Sequence, residues 1–297
     1  MGECIVDVII PTYNRAKTLG RAIDSALNQS YKKINVIVVD DGSTDETPNL
    51  MTKYKGKVNY IRYEKNQGAC HARNVGLENS QGDFVAFLDS DDAWFEDKIE
   101  KQVDFLLQNN ADVVFCSVLR IEQDKKILYP SDEKTGDIYN QLLVKNFLSN
   151  GVLLGKRECF QEKFDETLPR LQDWDIMLRI SKKYKVMHQH IPLAYYYVQT
   201  DSITTNHEKL KIALEIIFEK HKDEFTNSKE ACASFYKQMG VAYIMSKSKK
   251  AYKWFKLSNK FVFSVKTLIL EVMCFMGLQN LIYKLNTKRL SKRYEKH

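Results

Sequence analysis

Three acidic clusters carry most of the chemistry this chain could do: Asp40-Asp41-Gly42-Ser43-Thr44-Asp45, Asp89-Ser90-Asp91-Asp92 and Gln172-Asp173-Trp174-Asp175. The first two each close a short apolar run, which places carboxylates at the carboxyl ends of buried strands, the crevice where open α/β sheets bind ligands. Carboxylates there can hold a hard divalent cation. Mg2+ and Mn2+ both prefer oxygen ligands and complete their shells with phosphates, so the same place could hold a diphosphate. In Asp89-Ser90-Asp91 the spacing lets one carboxylate bind the ion and the other serve ligand hydroxyls or a metal-bound water. A plainer reading stays open beside it, in which Asp92 caps a helix beginning near Trp94.

Other residues fit a nucleotide. Pro11-Thr12-Tyr13-Asn14 follows the first apolar run, where exposed backbone groups and the Tyr13 ring could hold a base, or where the chain simply turns from strand to helix. Asp40 or Asp41 could accept a hydrogen bond from a base imide, or one of that pair could only cap the next helix, as Asp45 does. Asn66-Gln67-Gly68-Ala69 opens a helix that carries Arg73, which could reach a nucleotide or pyrophosphate or serve as a surface or buried-pair arginine. His71 beside it reads as a helix-surface residue. Asp173 is the candidate general base, a role that requires hydrogen-bond reach to an acceptor hydroxyl; the alternative is a capping Asp beside a core Trp. Asp175 supports the same helix or contacts the acceptor.

The elements that must position these groups alternate through the first 120 residues. Strands are expected at Ile5–Ile10, Asn35–Val39, Asn59–Tyr63, Phe84–Leu88 and Asp112–Ser117, and helices at Ala16–Asn28, Asp45–Tyr54, Gly68–Asn79 and Glu96–Gln108. Repeated βα units argue for a mostly parallel, Rossmann-like sheet with helices on both faces. Residues 119–206 are less regular, with a helix at Trp174–Ile180 and a strand-like aromatic run from Tyr195. Beyond Glu208 the pattern is helical: Leu210–His221, Lys229–Met245 and Lys249–Lys260.

Composition narrows the function classes. Net charge is +7, but Lys249–His297 holds twelve Lys/Arg against two acids, so it carries +10 and residues 1–248 carry −3. A slightly acidic catalytic half argues against nucleic acid as a partner. Six scattered cysteines without CxxC spacing read as free thiols of a reducing compartment, and the N-terminus shows no secretion signal. Phe261–Tyr283 is the most apolar window, interrupted by Lys266, Glu271, Gln279 and Asn280, so a membrane span is not expected. Lys260, Ser264, Thr267 and Glu271 share one helical stripe, and Phe261, Val265, Leu268 and Val272 another. An amphipathic helix followed by the basic run Lys284–Lys296 suits an anionic membrane surface, or else packing or homodimer formation.

In order and spacing, five segments resemble the family 2 glycosyltransferases of the A-type nucleotide-diphospho-sugar transferase fold, especially bacterial enzymes of capsular and surface polysaccharide synthesis. They are Val8–Arg15, Val38–Asp45, Asn66-Gln67-Gly68 with Ala72–Gly76, Phe87–Asp92 and Leu171–Asp175. The resemblance implies that Pro11, Tyr13, Asp41 and Arg73 contact the nucleotide, that Asp89 serves the ribose or the metal shell, that Asp91 binds Mg2+ or Mn2+, and that Asp173 is the catalytic base. Two departures stand out. Gln172 replaces an acidic residue that many relatives carry before the base. The segment Tyr196–Thr204 lacks the Arg and His of a Tyr-Arg-x-His-x-x-Ser-x-Thr pattern, so Gln199 stands in place of a metal or diphosphate ligand, and Ser202 and Thr204 remain as phosphate contacts or turn formers.

The resulting expectation is a catalytic domain over residues 1–206, with a nucleotide-binding half at 1–118 and an acceptor half at 119–206, followed by a helical, basic region at 207–297. Its activity would be metal-dependent, inverting transfer of a sugar from a nucleotide-sugar donor, UDP-linked, to a saccharide or lipid-linked acceptor at the cytoplasmic membrane surface. A nucleotidyltransferase would use the same acidic pair but leaves Gln172–Asp175 without a purpose. A catalytically silent membrane scaffold would have no need of Asp91 or Asp173.

Overall fold

A computed structural model describes residues 4–122, 125–198, 206–246, 248 and 250–283. The elements run β1 (Val6–Thr12), α1 (Leu19–Leu27), β2 (Ile34–Asp40), α2 (Thr47–Met51), β3 (Asn59–Arg62), α3 (Ala69–Glu78), β4 (Phe84–Phe87), β5 (Ala93–Trp94), α4 (Lys98–Gln108), β6 (Val113–Glu122), β7 (Lys125–Tyr129), α5 (Ile138–Val144), β8 (Leu153–Lys156), α6 (Gln172–Ser181), β9 (Val186–Tyr197), α7 (His207–Lys220), α8 (Lys222–Asn227), α9 (Lys229–Met245), α10 (Ala251–Phe261) and α11 (Val265–Phe275). They form two compact units. The first comprises Met1–Ile138, Phe147–Thr167 and Gln172–Gln199; the second comprises Tyr139–Asn146, Leu168–Leu171 and Thr200–His297.

The first unit is an α/β body around one sheet ordered β3-β2-β1-β4-β8-β6-β9-β5, with β7 paired to β6. The pairs β2–β3, β1–β2 and β1–β4 are parallel, as the βα repeats dictate. Beyond β4 the sheet is mixed, because β8 enters antiparallel between β4 and β6. The strand expected at Asp112–Ser117 is therefore not the next parallel neighbour of β4. All seven residues of β1 are buried, and since alternate side chains point to opposite faces, both faces of the sheet are covered. Ala72 of α3 closes over Ile37 and Val39 of β2. Gly76 lets α3 approach β1, for a Cβ there would stand 2.4 Å from Ile9 Cγ2.

One local reading is corrected. No helix begins near Trp94: Ala93 and Trp94 form β5, paired with Tyr195 and Ala194 of β9, and α4 starts at Lys98. Asp92 is thus no helix cap.

The second unit is helical. Its α9 follows the expected bounds, and Ser228 caps it by accepting the Ala231 N–H at 3.2 Å. The apolar window at Phe261–Tyr283 is broken rather than continuous, since α10 ends at Phe261, residues 262–264 are extended, and Ser264 starts α11 by accepting from Thr267 N. None of the described helices is long and apolar enough to cross a membrane.

Candidate active site

Parallel pairing brings the first two acidic clusters and the Tyr13 turn to one end of the sheet. Thr12 is in register with Asp40, and Ile9 with Phe87. Two backbone bonds carry the pairing past the strand ends: Asp41 N to Thr12 O at 2.8 Å and Leu88 N to Ile9 O at 3.0 Å. Tyr13, Asp41 and Asp89 therefore leave neighbouring strands side by side at their carboxyl ends.

The turns after β1 and β2 are latched together. Asn14 takes a left-handed backbone at φ 51°, its N–H donates to Ser43 Oγ at 2.9 Å, and its side-chain oxygen accepts from Thr44 N at 2.8 Å. Asp40 is structural: buried, it accepts from Ser43 N at 2.9 Å and from the Tyr60 hydroxyl at 2.6 Å. Asp45 accepts from Thr47 N at 2.9 Å at the start of α2. Asp41 holds the start of α3, accepting from Gln67 N at 2.6 Å, Gly68 N at 2.8 Å and Asn66 Nδ2 at 2.8 Å. The Tyr63 phenol, raised first by burial and then by the Asp41 charge, also faces this carboxylate. Gly42, at φ 74°, lies so close to the Lys65–Asn66 backbone that a Cβ would stand 2.9 Å from Lys65 C. Pro11 is buried within β1, and Tyr13 just beyond it exposes its ring.

On α3, Arg73 Nη2 donates to Asp89 Oδ1 at 2.7 Å, while Nε and Nη1 are buried without hydrogen-bond partners among the described residues. A buried guanidinium with two unused donors costs free energy until an acceptor arrives. Asn74, from the same motif, instead clamps Phe164 through both its backbone N–H and its carbonyl. His71 meets Glu166 at 3.1 Å near the surface, in keeping with its expected place.

The Asp89–Asp92 loop is strongly acidic and confined. Burial first, then the Asp89 charge, pushes the Asp91 carboxyl up, and Arg15 and Arg21 pull it back. Burial and both neighbouring carboxylates raise Asp92 well above its usual range, against the Tyr197 N–H that it accepts at 3.0 Å. Burial and these three acids push the Tyr196 phenol up to about 12. Arg21 of α1 stacks on the Tyr197 ring at 3.7 Å and donates to the Asp91 carbonyl. Gly151 packs closely against this loop, for a Cβ there would lie 3.7 Å from both Asp89 Oδ2 and Asp92 Oδ2. Arg21 and Gly151 were not singled out from the sequence, and only their contacts in space mark them. Arg15 and Tyr196 fell inside matched segments without a role of their own.

A divalent cation fits this donor set in a limited way. Among the described residues no group of three or more His, Cys, Asp or Glu is arranged around one ion. Asp89 keeps Oδ2 beyond its Arg73 bond, and Asp91 is held among like charges. Two hard carboxylates suit an ion that takes the rest of its shell from phosphates and water. Gln199, Ser202 and Thr204 lie outside the described residues.

Asp173 stands in the first turn of α6, two residues after Leu171, whose φ of 61° is costly for a β-carbon-bearing residue. Its Oδ1 accepts from Trp174 N at 2.8 Å, and its charge helps, after burial, to raise the Tyr129 phenol. Trp174 is fully buried and Asp175 is bound by Arg179 Nε at 3.0 Å and Nη2 at 2.8 Å, so these two anchor α6.

A family model described as Glycosyl transferase family 2 matches residues 7–180. An uncharacterized glycosyltransferase of Rickettsia prowazekii is 36% identical over 197 residues, covering 63% of this chain and 61% of the relative. The chain thus spans about three fifths of that relative's length. A putative teichuronic acid biosynthesis glycosyltransferase, TuaG of Bacillus subtilis, is 32% identical over 210 residues, covering 68% of this chain and 82% of the relative. Among solved structures, S. aureus TarS residues 1–349 in complex with UDP-GlcNAc superposes with a TM-score of 0.65 at 19% identity, covering 94% and 92% of the two chains. The mannosyltransferase PcManGT from Pyrobaculum calidifontis, with GDP-Man and Mn2+, gives 0.63 at 20%, covering 98% and 84%. These likenesses establish the A-type glycosyltransferase fold with a C-terminal helical region.

Proposed function

Because the chain belongs to glycosyl transferase family 2, we propose that it transfers a sugar, with inversion, from a UDP-sugar to a hydroxyl of a saccharide or lipid-linked acceptor. The product would enter a bacterial surface polysaccharide, and the protein would work as a peripheral protein on the inner face of the cell membrane. The observation that carries the reading is the buried Arg73–Asp89 pair, with two guanidinium donors unused, beside the Asp91 carboxylate at the strands' carboxyl ends. That combination suits a diphosphate and its counter-ion better than a neutral ligand. Similarity to TuaG supports a surface-polysaccharide product, and the bound ligands of the TarS and PcManGT complexes support a sugar nucleotide as the donor class.

In this reading Asp91, with Asp89, would hold Mg2+ or Mn2+. Bound there, the ion would neutralise charge on the leaving diphosphate. Pro11, Tyr13 and Asp41 bound the nucleoside pocket: Tyr13 offers its ring for stacking, and Asp41 offers its carboxylate to an imide N–H. Asp173 accepts the proton of the acceptor hydroxyl as its oxygen bonds to the anomeric carbon. The bond from that carbon to the diphosphate breaks, and the diphosphate leaves with the electron pair. One such displacement inverts configuration.

The test is release of nucleoside diphosphate across a panel of nucleotide sugars, with Mn2+, Mg2+ or chelator. One UDP-sugar is expected to be cleaved, only with the metal. Absence of cleavage for the whole panel, together with no thermal stabilisation by any nucleoside diphosphate plus metal, would leave the chain as a silent member of the family.

A further inference from the structure

Among the described residues, nineteen large hydrophobic side chains are exposed, and eleven of them fall within residues 261–281. Their arrangement is not random. In α11 the side chains Val265, Leu268, Ile269, Val272 and Phe275 recur at helical spacing and are all exposed, Val265 at 64% and Phe275 at 75%. Phe263, in the extended link before the helix, is 66% exposed.

The opposite side of α11 is already used. Cys274 is buried in a cluster with Ile244, Ala251 and Phe255, and Leu270 and Met273 pack against it. Thr267 is buried, and Glu271 accepts from Asn259 Nδ2 at 2.9 Å. Thr267 and Glu271 of the polar stripe read from the sequence therefore face the α10 side, and the apolar stripe faces out. A helix that is apolar on both sides is stable where both sides are covered. A contiguous apolar patch of this kind marks an interaction surface.

The surrounding charge selects the occupant. Lys253, Lys256, Lys260 and Lys266 are exposed. The only acid in 249–283 is Glu271, which is engaged by Asn259, and residues 284–297 add six Lys/Arg against one Glu. A second copy meeting this face would bring the same positive charge, whereas an anionic lipid surface offers an apolar interior beneath negative headgroups.

We infer that the outward face of α11, with Phe263, inserts into an anionic lipid leaflet, using the lysines and the basic C-terminal run for attraction and the apolar stripe for anchorage. This rests on the peripheral-membrane part of the reading above and identifies the surface that performs it. It also places insertion, rather than charge alone, as the larger contribution.

The experiment uses the full chain in co-sedimentation with vesicles of phosphatidylcholine alone or mixed with phosphatidylglycerol, at low and high salt. Expected is binding to the mixed vesicles that high salt weakens without abolishing. Ile269→Gln with Phe275→Gln should lower that binding by about a hundredfold, roughly tenfold for each buried apolar side chain lost, while Lys260→Gln and Lys266→Gln should each cost about fivefold. All variants should keep wild-type melting and wild-type donor cleavage, since the changed side chains are exposed. Equal vesicle binding by the Ile269/Phe275 variant would overturn the inference. So would a wild-type dimer in sedimentation that this variant converts to monomer without change in vesicle binding. Failure of donor cleavage by the wild type would strike the enzymatic reading alone and leave the vesicle result standing.

Discussion

Asp91 is held where burial and Asp89 oppose its charge and two arginines favour it. Its substitution is therefore expected to affect ligand binding more than folding. Asp91→Asn should keep wild-type melting in the absence of metal and lose the Mn2+-dependent part of UDP affinity; calorimetric titration with and without Mn2+ measures this, and an unchanged Mn2+ effect would remove Asp91 from the cation site. Arg73→Lys can keep a charge near Asp89 but cannot supply the two buried donors at Nε and Nη1. UDP binding should weaken roughly ten- to hundredfold, as expected for lost charge-assisted hydrogen bonds; an affinity within twofold of wild type would show those donors unused. The acidic clusters were legible because strands, turns and carboxylates are contiguous in sequence. Arg21 was not: a single cation on α1 carries no local signal, and its bond to the Asp91 carbonyl spans 70 positions.

At the scale of elements, two packing details decide whether the site keeps its shape. Gly76→Ala would put a Cβ 2.4 Å from Ile9 Cγ2, pressing α3 away from β1. A loss of about 1–3 kcal/mol is expected by denaturant unfolding, with weaker UDP binding because Arg73 rides on the same helix; wild-type stability would mean that α3 shifts freely. Lys98 of α4 is fully buried, its Nζ donating to Gln102 Oε1 at 2.6 Å and lying 4.0 Å from the Trp94 ring centre. Burial lowers its ammonium to about 8 from an ordinary 10.5. Between these values the unfolded chain binds the proton and the folded protein does not, so stability should rise with pH from about 8 to about 10.5, by an amount on the order of 3 kcal/mol. Lys98→Met should flatten that rise; an equally steep rise in the variant would assign it elsewhere. The βα repeats were readable because their apolar periods change cleanly at each turn. The two-residue β5 and the antiparallel β8 were not, since so short a strand has no period, and the direction of β8 is set by its partners β4 and β6.

For the whole molecule, sequence and structure meet in a family 2 glycosyltransferase whose α/β unit gathers the conspicuous motifs, while the helical unit carries most of the exposed apolar surface. Charge asymmetry was visible in the sequence, but which side of the terminal helix faces out was not, because α11 has apolar residues on both sides. The central claim is inverting transfer with Asp173 as base. It is tested most directly by comparing wild type with Asp173→Asn for donor affinity and for turnover of the preferred sugar nucleotide, with the anomeric configuration of the product read by NMR. Inverted product is expected from the wild type, with unchanged donor affinity in the variant and turnover lower by roughly 10²–10⁴-fold. Retained configuration, or a variant that loses donor binding while turning over bound donor at the wild-type rate, would contradict the claim.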